Sequence, residues 1–396
     1  MPALEGRKLW FVGIGGAGLS AYAVLARAWG ADVAGWDRYE TPYLAYVREA
    51  GIPVEVSEEP SAPAGFEPIV STAFAGRVPG RTRAELLAEL VSLRDAVVVA
   101  GAHGKTTTTA MIAFVLRELG RDPAFLIGGE VPQLGGNAGT GAGTLVVEGD
   151  ESDRTIESLR PRVAVVLNVD LDHHSTFASR AEVEELFERW LVHVPQVVRG
   201  EELEPVAFEL ALPGEHNRRN AAAALAALEL EGIPREEAAG ALAGFRGVAR
   251  RLEPRGEAGG VILLDDYAHN PPKVSAALGA VRERYPDARV LVLFQPHLYS
   301  RTRHLAHELG ASLAPADLVA VTDVYPAREE PLAGVTGRLV VDALSDARPG
   351  MPLAWTPSVV DGAAFLAKRA RPGDVILTVG AGDVDAAIPL LKEALE

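Results

Sequence analysis

Short runs of almost uninterrupted apolar residues recur along the chain, and between several of them lie alanine- and leucine-rich stretches of helical period. The runs are KLWFVGIG, DVAGWD, AVVVAG, TLVVEGD, RVAVVLNVD, GVILLDDY, RVLVLFQ, DLVAVTDVY and DVILTVGAG. A strand that is apolar on both faces needs cover on both sides, and helices between such strands supply it. The pattern therefore predicts an α/β fold with parallel sheets. No solenoid-type repeat interrupts it, and the alanine run at 221–224 falls inside a predicted helix.

Two breaks divide the pattern. Near Ser92 to Ala96 a helical stretch gives way to a strand, and between Gly244 and Gly260 the segment GFRGVARRLEPRGEAGG concentrates glycine and arginine. Three domains are expected, at 1–95, 96–250 and 251–396, each of ordinary size.

Composition narrows the chemistry. The 396 residues are 48% hydrophobic and 23% charged, a globular balance. No run approaches the roughly 18 apolar residues of a membrane span, and the first residues carry no secretory signal pattern, so a cytoplasmic location with no membrane partner is the expectation. With no cysteine, thiolate nucleophiles, disulfides and cysteine-ligated metals are excluded. The net charge of −16 argues against nucleic-acid binding, which needs a broad basic surface. An anionic substrate must then be held by local devices: helix N-termini, a few Arg and Lys, or a metal.

The first apolar run ends in Gly13-Ile14-Gly15-Gly16-Ala17-Gly18, a helical stretch follows, and Asp37 ends the next run. Glycines permit a tight turn whose amides face a diphosphate, and an acid after the second strand meets a ribose hydroxyl. This pattern does not separate NAD from other nucleotide diphosphates. A second strand-to-helix turn, VVVAGAHGKTTTTAM, has the order of a P-loop, in which amides and a lysine cradle a triphosphate while a threonine reaches Mg²⁺. Only Ala102 and His103 separate Gly101 from Gly104, two fewer residues than usual, yet Lys105 stands where strand becomes helix.

Acids follow at two more strand ends: Glu148, Asp150, Glu151 and Asp153, then Asp170 and Asp172 with His173 and His174. Glu148 and His173, the first past their strands, are the candidates to complete a Mg²⁺ sphere begun by Thr106. His216 and Asn217 open a helix, where Asn217 could equally be a cap. Arg250 and Arg251 sit at the second break. In the last third Asp265, Asp266, Tyr267 and His269 lie just beyond one apolar run, and His297, Tyr299 and Arg301 beyond another.

Taken in order, GIGGAGLSA, AGAHGKTTTT, EGDESD, NVDLDHH, PGEHNRRNAAAA, GVARRLE, DDYAHNP and FQPHLYSRTR cover almost the whole chain and resemble the Mur ligases. The likeness is strongest to the branch that adds L-alanine to UDP-N-acetylmuramate in peptidoglycan synthesis. It implies a Rossmann-like N-terminal domain for the UDP-sugar, a central ATP-binding domain, and a Rossmann-like C-terminal domain that closes over the amino-acid site. Gly13, Ile14, Gly15, Gly16, Ala17 and Gly18 would then meet the sugar nucleotide's diphosphate, with Asp37, Ser71 and Thr72 near the uridine. ATP would lie on Gly101, Ala102, His103, Gly104, Lys105, Thr106 and Thr107, with Mg²⁺ on Thr106, Glu148 and His173. His216 and Asn217 would approach ATP, Asn217 at the adenine, while Arg251 meets phosphate and Asp266 the ribose. Tyr267, His269, His297 and Arg301 would surround the incoming amino acid and the acyl centre. Lys105, Glu148, His173, Arg251, His297 and Arg301 are the catalytic candidates this implies.

Three departures from the family pattern stand out. Leu298 replaces an arginine, Asn270 replaces a histidine common in this branch, and the stretch from Ser175 to Leu212 is short, which implies missing strands at the edge of the central domain. The competing readings are a ligase that recycles a tripeptide onto the same sugar nucleotide, a noncatalytic nucleotide-binding descendant, and a nicotinamide dehydrogenase built on the first glycine turn.

Overall fold

The computed structural model describes residues 3–71, 73–171, 176–327 and 329–396. Three sheets follow one another along the chain. The first takes β1 (Lys8–Val12), β2 (Asp32–Asp37), β3 (Val54–Val56), β4 (Glu67–Val70) and β5 (Arg81–Thr82) in the order β3-β2-β1-β4-β5, all parallel. The second takes β6 (Ala96–Ala100), β7 (Ala124–Val131), β8 (Gly136–Thr140), β9 (Leu145–Glu148), β10 (Val163–Val166) and β11 (Gln196–Arg199) in the order β11-β10-β6-β9-β7-β8. The third takes β12 (Glu253–Ala258), β13 (Val261–Asp266), β14 (Val290–Phe294), β15 (Leu318–Val321), β16 (Leu353–Trp355) and β17 (Val375–Val379) in the order β12-β13-β17-β14-β15-β16.

Each of the nine apolar runs contains a strand. The parallel expectation needs one amendment, because β8 pairs antiparallel with β7 and β12 antiparallel with β13. Both additions are edge strands, glycine-rich or polar, which a search for apolar runs passes over. The short segment after residue 175 supplies a helix, α5 below, and the parallel edge strand β11.

Helices α1 (Ala17–Ala28), α2 (Pro42–Glu49), α3 (Arg83–Ser92), α4 (Lys105–Glu118), α5 (Arg180–Leu191), α6 (Glu215–Leu230), α7 (Arg235–Leu242), α8 (Pro271–Arg284) and α9 (Tyr299–Leu313) precede or cover these strands. Local chemistry sets their starts. Thr82 and Glu85 form a reciprocal capping box on α3. Asn270 caps α8, its Oδ1 accepting from Lys273 N at 3.1 Å ahead of two prolines, so this departure from the family pattern has a structural use.

By contacts the chain forms two compact units, Met1–Ala211 with Asn217–Arg246, and Leu212–His216 with Gly247–Glu396. In the first, a single apolar cluster contains Leu9, Phe11 and Ile69 of the leading sheet together with Val98, Val147 and Ala164 of the second. The second unit has its own clusters on the two faces of the third sheet. Among the described residues no helix is long and apolar enough to cross a membrane.

Candidate functional site

The turn after β1 is held by its neighbours. Gly13 has a φ of +82°, and a Cβ there would come within 2.6 Å of Ser71 Oγ. Gly15 N–H donates to Asp37 Oδ2 at 2.7 Å, and Thr41 Oγ1 donates to the Gly15 carbonyl at 2.8 Å. Asp37, buried, thus shapes the turn itself. Ser71 Oγ is buried beside the turn with no hydrogen-bond partner among the described residues, a polar atom still owed one. Thr72 lies outside the described residues. Ile14 is fully buried against Gly35, so it packs beneath the turn and does not face a ligand.

The second turn, between β6 and α4, is built around two glycines and an asparagine. Gly101 has a φ of +132° and lies so close to Asn168 that a Cβ would sit 2.8 Å from its carbonyl oxygen. Gly104 has a φ of +86°, with the Asn220 amide oxygen where its Cβ would be. Side chains at either position would be strained and obstructed. Asn168, just past β10, grips the turn on both sides of one residue: its Oδ1 accepts from His103 N at 2.8 Å and its Nδ2 donates to His103 O at 3.0 Å. Ala102 is buried within the same turn.

Lys105 Nζ donates to the Gly101 carbonyl at 2.7 Å and to Glu151 at 2.9 and 3.1 Å. Thr106 Oγ1 donates to Glu148 Oε2 at 3.1 Å, and the other Glu148 oxygen accepts from Gly128 N. Lys105, Thr106 and Glu148 are therefore brought together, with Thr107 buried one residue along. Hydroxyl and carboxylate oxygens side by side are hard donors suited to Mg²⁺, which takes few protein ligands and fills its sphere with phosphate and water. His173 lies outside the described residues, among which no three potential ligands converge on a metal position.

Gly18, at the end of the first glycine segment, and Lys105, at the end of the second turn, line common ground. A hollow of about 210 Å³ is lined by Gly18, Ala21 and Tyr22 of α1, by Arg83 of α3, by Lys105, and by Glu148 and Asp150. Arg83, Glu151 and Asn168 carry no role in the sequence-based assignment. Asn168 is the second residue beyond an apolar strand and Glu151 stands in an acidic run already singled out. Arg83, opening an ordinary amphipathic helix, offers no such signal.

Asn217 is buried inside the first turn of α6, which begins at Glu215, so it is not the helix cap; His216 precedes it in the same turn.

In the second unit, side chains gather at the C-terminal ends of β13, β14, β15 and β17. The two neighbouring arginines differ. Arg250 is fully engaged, with Nε on Asp265 at 3.0 Å and both terminal nitrogens on the carbonyls of Gly380 and Gly382. Among the described residues Arg251 makes no ion pair, and it lies over the Tyr267 ring, 5.4 Å from its centroid. Asp266 accepts backbone amides on both oxygens, from Ala268 at 2.7 Å and Leu252 at 2.8 Å, leaving one further lone pair on each. Burial raises its pKa, against the opposing charge of Arg251.

His269 and His297 face each other with ring centroids 5.9 Å apart, and Tyr325 stacks on His297 at 5.8 Å and 13°. Arg301 Nη1 is 3.3 Å from His297 Nδ1. Burial, then Arg301, lowers the His297 pKa to about 4; burial, then Lys273 and Arg301, holds His269 well below 6.5. Both imidazoles are neutral at pH 7. Leu298 has a φ of +70° because its N–H reaches the Tyr325 carbonyl at 3.0 Å while its carbonyl accepts from Thr302 at 3.0 Å. Sequence reasoning missed Tyr325, an isolated tyrosine after an apolar run.

Comparison with known proteins adds relatives over the full length. Residues 8–94 match the family description "Mur ligase family, catalytic domain", 99–198 "Mur ligase middle domain" and 250–382 "Mur ligase, glutamate ligase domain". The chain is 39% identical to a UDP-N-acetylmuramate-L-alanine ligase of Renibacterium salmoninarum, covering 98% of this chain and 96% of the relative. It is 38% identical to the enzyme of that name from Streptomyces coelicolor, covering 97% of each. Among solved structures, a UDP-N-acetylmuramate-alanine ligase from Thermotoga maritima superimposes with a TM-score of 0.80 at 27% identity, covering 98% of both chains. A murein peptide ligase from Psychrobacter arcticus shares the fold, with a TM-score of 0.67 at 23% identity over 98% of this chain and 99% of that one.

Proposed function

The chain belongs to the Mur ligase family, and from that premise we propose that it joins L-alanine to the lactyl carboxylate of UDP-N-acetylmuramate, at the expense of ATP, in peptidoglycan synthesis. The observation that carries this reading is the shared hollow, in which Lys105 of the phosphate loop and Gly18 of the first glycine segment line the same space. A phosphoryl donor on the second sheet and a sugar acid on the first can meet there.

In this reading the three segments 1–95, 96–250 and 251–396 take the UDP-sugar, ATP and the amino acid respectively. Joining a carboxylate to an amine in water is slow because the carboxylate is a poor electrophile. A carboxylate oxygen attacks the γ-phosphorus, the bond from that phosphorus to its bridging oxygen breaks, and ADP leaves. The neutral amine of L-alanine then attacks the acyl carbon, loses a proton, and phosphate departs as the amide forms.

The residues support these steps in stages. Gly13, Gly15, Gly16, Ala17 and Gly18 hold the diphosphate, with Asp37, Ser71 and Thr72 near the uridine; the unpartnered Ser71 hydroxyl favours a ligand at that point. Gly101 to Gly104 and Thr107 surround the triphosphate, and Lys105 offsets charge gathering on the transferring group. Thr106, Glu148 and His173 would hold Mg²⁺, which when bound supplies Lewis-acid neutralisation of phosphate charge. His216 and Asn217 meet the adenosine, Asp266 the ribose through its remaining lone pairs, and Arg251 a phosphate. Tyr267, His269, His297 and Arg301 receive the amino acid. Arg301 suits its carboxylate, and a neutral imidazole suits the amine's proton.

Steady-state ADP release with ATP, Mg²⁺ and UDP-N-acetylmuramate, scanned across amino acids and the recycled tripeptide, tests the assignment. L-Alanine should support the fastest release, and release should vanish without the sugar nucleotide. Faster release with the tripeptide, or release indifferent to the sugar, overturns it.

A further inference from the structure

Arg83 is the first residue of α3, and its guanidinium projects into the hollow that Lys105 lines. Among the described residues it makes no hydrogen bond and no ion pair. Its Cζ lies 5.9 Å from the Tyr22 ring centroid, and a Cβ on Gly18 would approach Nη1 to 3.0 Å. The other charged groups on the wall have partners, Asp150 accepting from Ser152 N at 2.9 Å. Lys105 is matched by Glu151, while Glu148 takes Thr106 and the Gly128 amide. A half-buried guanidinium left without an anion, in a space built to receive one, marks a ligand contact.

The position along α1 identifies which anion. The hollow is lined by Gly18, Ala21 and Tyr22, one face of the helix, and by none of Gly13 to Gly16, where a diphosphate would sit. What reaches this point lies beyond the diphosphate, at the sugar end of the molecule. It must also be an anion, because among the described lining residues Lys105 already has Glu151 as its counter-charge while the Arg83 guanidinium has none. Tyr22 feels both sides: burial drives its pKa to about 12, Arg83 opposes this, and Glu148, Asp153 and Asp150 add to it.

Resting on the function proposed above, we infer that Arg83 binds the lactyl carboxylate of the sugar acid and presents it to the phosphoryl donor held at Lys105. Two parallel N–H donors suit a planar carboxylate and fix its orientation, and they leave its outward lone pairs for attack on phosphorus. A lysine there would keep the charge and lose the fork.

The test is a cycle between protein and ligand. Calorimetric affinities of UDP-N-acetylmuramate and of its lactyl methyl ester are measured, without ATP, for the wild type, Arg83→Gln and Arg83→Lys. The wild type should prefer the acid over the ester by about 10- to 100-fold, the range of a hydrogen-bonded charged contact. In Arg83→Gln the preference should collapse to within about threefold while ester affinity is unchanged, and Arg83→Lys should fall between. Thermal melts confirm that each variant is folded; should the glutamine variant fail to fold, the lysine variant carries the comparison. Equal weakening of acid and ester in the variants, or an undiminished preference for the acid, overturns the assignment of Arg83 alone. A wild type that binds neither ligand overturns the functional reading, and the role of Arg83 falls with it.

Discussion

Lys105 Nζ stands 2.9 Å from Glu151 Oε2 and 2.7 Å from the Gly101 carbonyl oxygen, so the lysine proposed to meet phosphate is held by groups of its own protein. Burial alone would lower its pKa, but Glu151, Asp150 and Glu148 outweigh burial and raise it, keeping the ammonium charged. Lys105→Ala leaves Glu151 buried without its cation, a loss of about 3–5 kcal/mol when one partner of a buried pair is removed. The same change should slow ADP release at saturating substrates by about 10²- to 10³-fold, the usual cost of removing one electrostatic donor. Denaturant titration and ADP release measure the two effects on one preparation, and wild-type turnover would remove the lysine from catalysis.

Glu151→Gln separates holding from chemistry. With the carboxylate neutralised, the lysine no longer trades an internal partner for an external one, so ATP should bind several-fold more tightly by calorimetry. Unchanged or weaker binding would mean that Glu151 orients the ammonium as well as storing it.

Thr106 and Glu148 predict a metal dependence. Thr106→Ala should raise the Mg²⁺ concentration for half-maximal ADP release by about tenfold or more, since even outer-sphere partners of a metal cost that much. A Mg²⁺ titration identical to wild type would exclude the hydroxyl as a ligand.

Asn168 has no predicted contact with substrate, yet it holds both the backbone N–H and the carbonyl of His103. Asn168→Ala should cost about 1–3 kcal/mol for the groups left unsatisfied and raise the KM for ATP more than it lowers kcat. A loss confined to kcat would contradict a purely positioning role.

His297 supplies a pH dependence. Its pKa is about 4 in the folded protein and near 6.5 when unfolded, so between those values the unfolded chain binds more protons. Stability should therefore fall as pH drops from 6.5 towards 4 and then flatten in this contribution, and His297→Gln should reduce the slope. Denaturant midpoints across that window read the effect, and nitrogen NMR of the ring should show it neutral at pH 5.

Legibility in the sequence followed burial. Strands such as AVVVA are covered on both faces, so every residue is apolar and the run is visible without a partner. The edge strands EPRGEA and GNAGT owe their existence to a neighbour's hydrogen bonds, and their own side chains say little. The site divides the same way. Lys105, Thr106 and Glu148 follow directly from strand ends, where α/β folds place their ligands. Glu151 and Asn168 act through partners 46 and 65 positions away, and Arg83 is marked by a cavity; such relationships exist only after folding. Leu298, noted only as a missing arginine, proves to occupy a positive-φ position set by two backbone hydrogen bonds.

The apolar cluster that runs from Leu9 and Phe11 through to Val98 and Ala164 has a bearing on recombination among relatives. A crossover at residue 95 would divide a shared interior and marry two halves that never grew complementary surfaces. A graft meant to change the sugar nucleotide would travel more safely as the whole of the leading compact unit, bringing its own nucleotide-triphosphate machinery with it. On the function proposed above, inheritance of sugar-nucleotide and ATP specificity would be tied together, while the third sheet packs in an interior of its own.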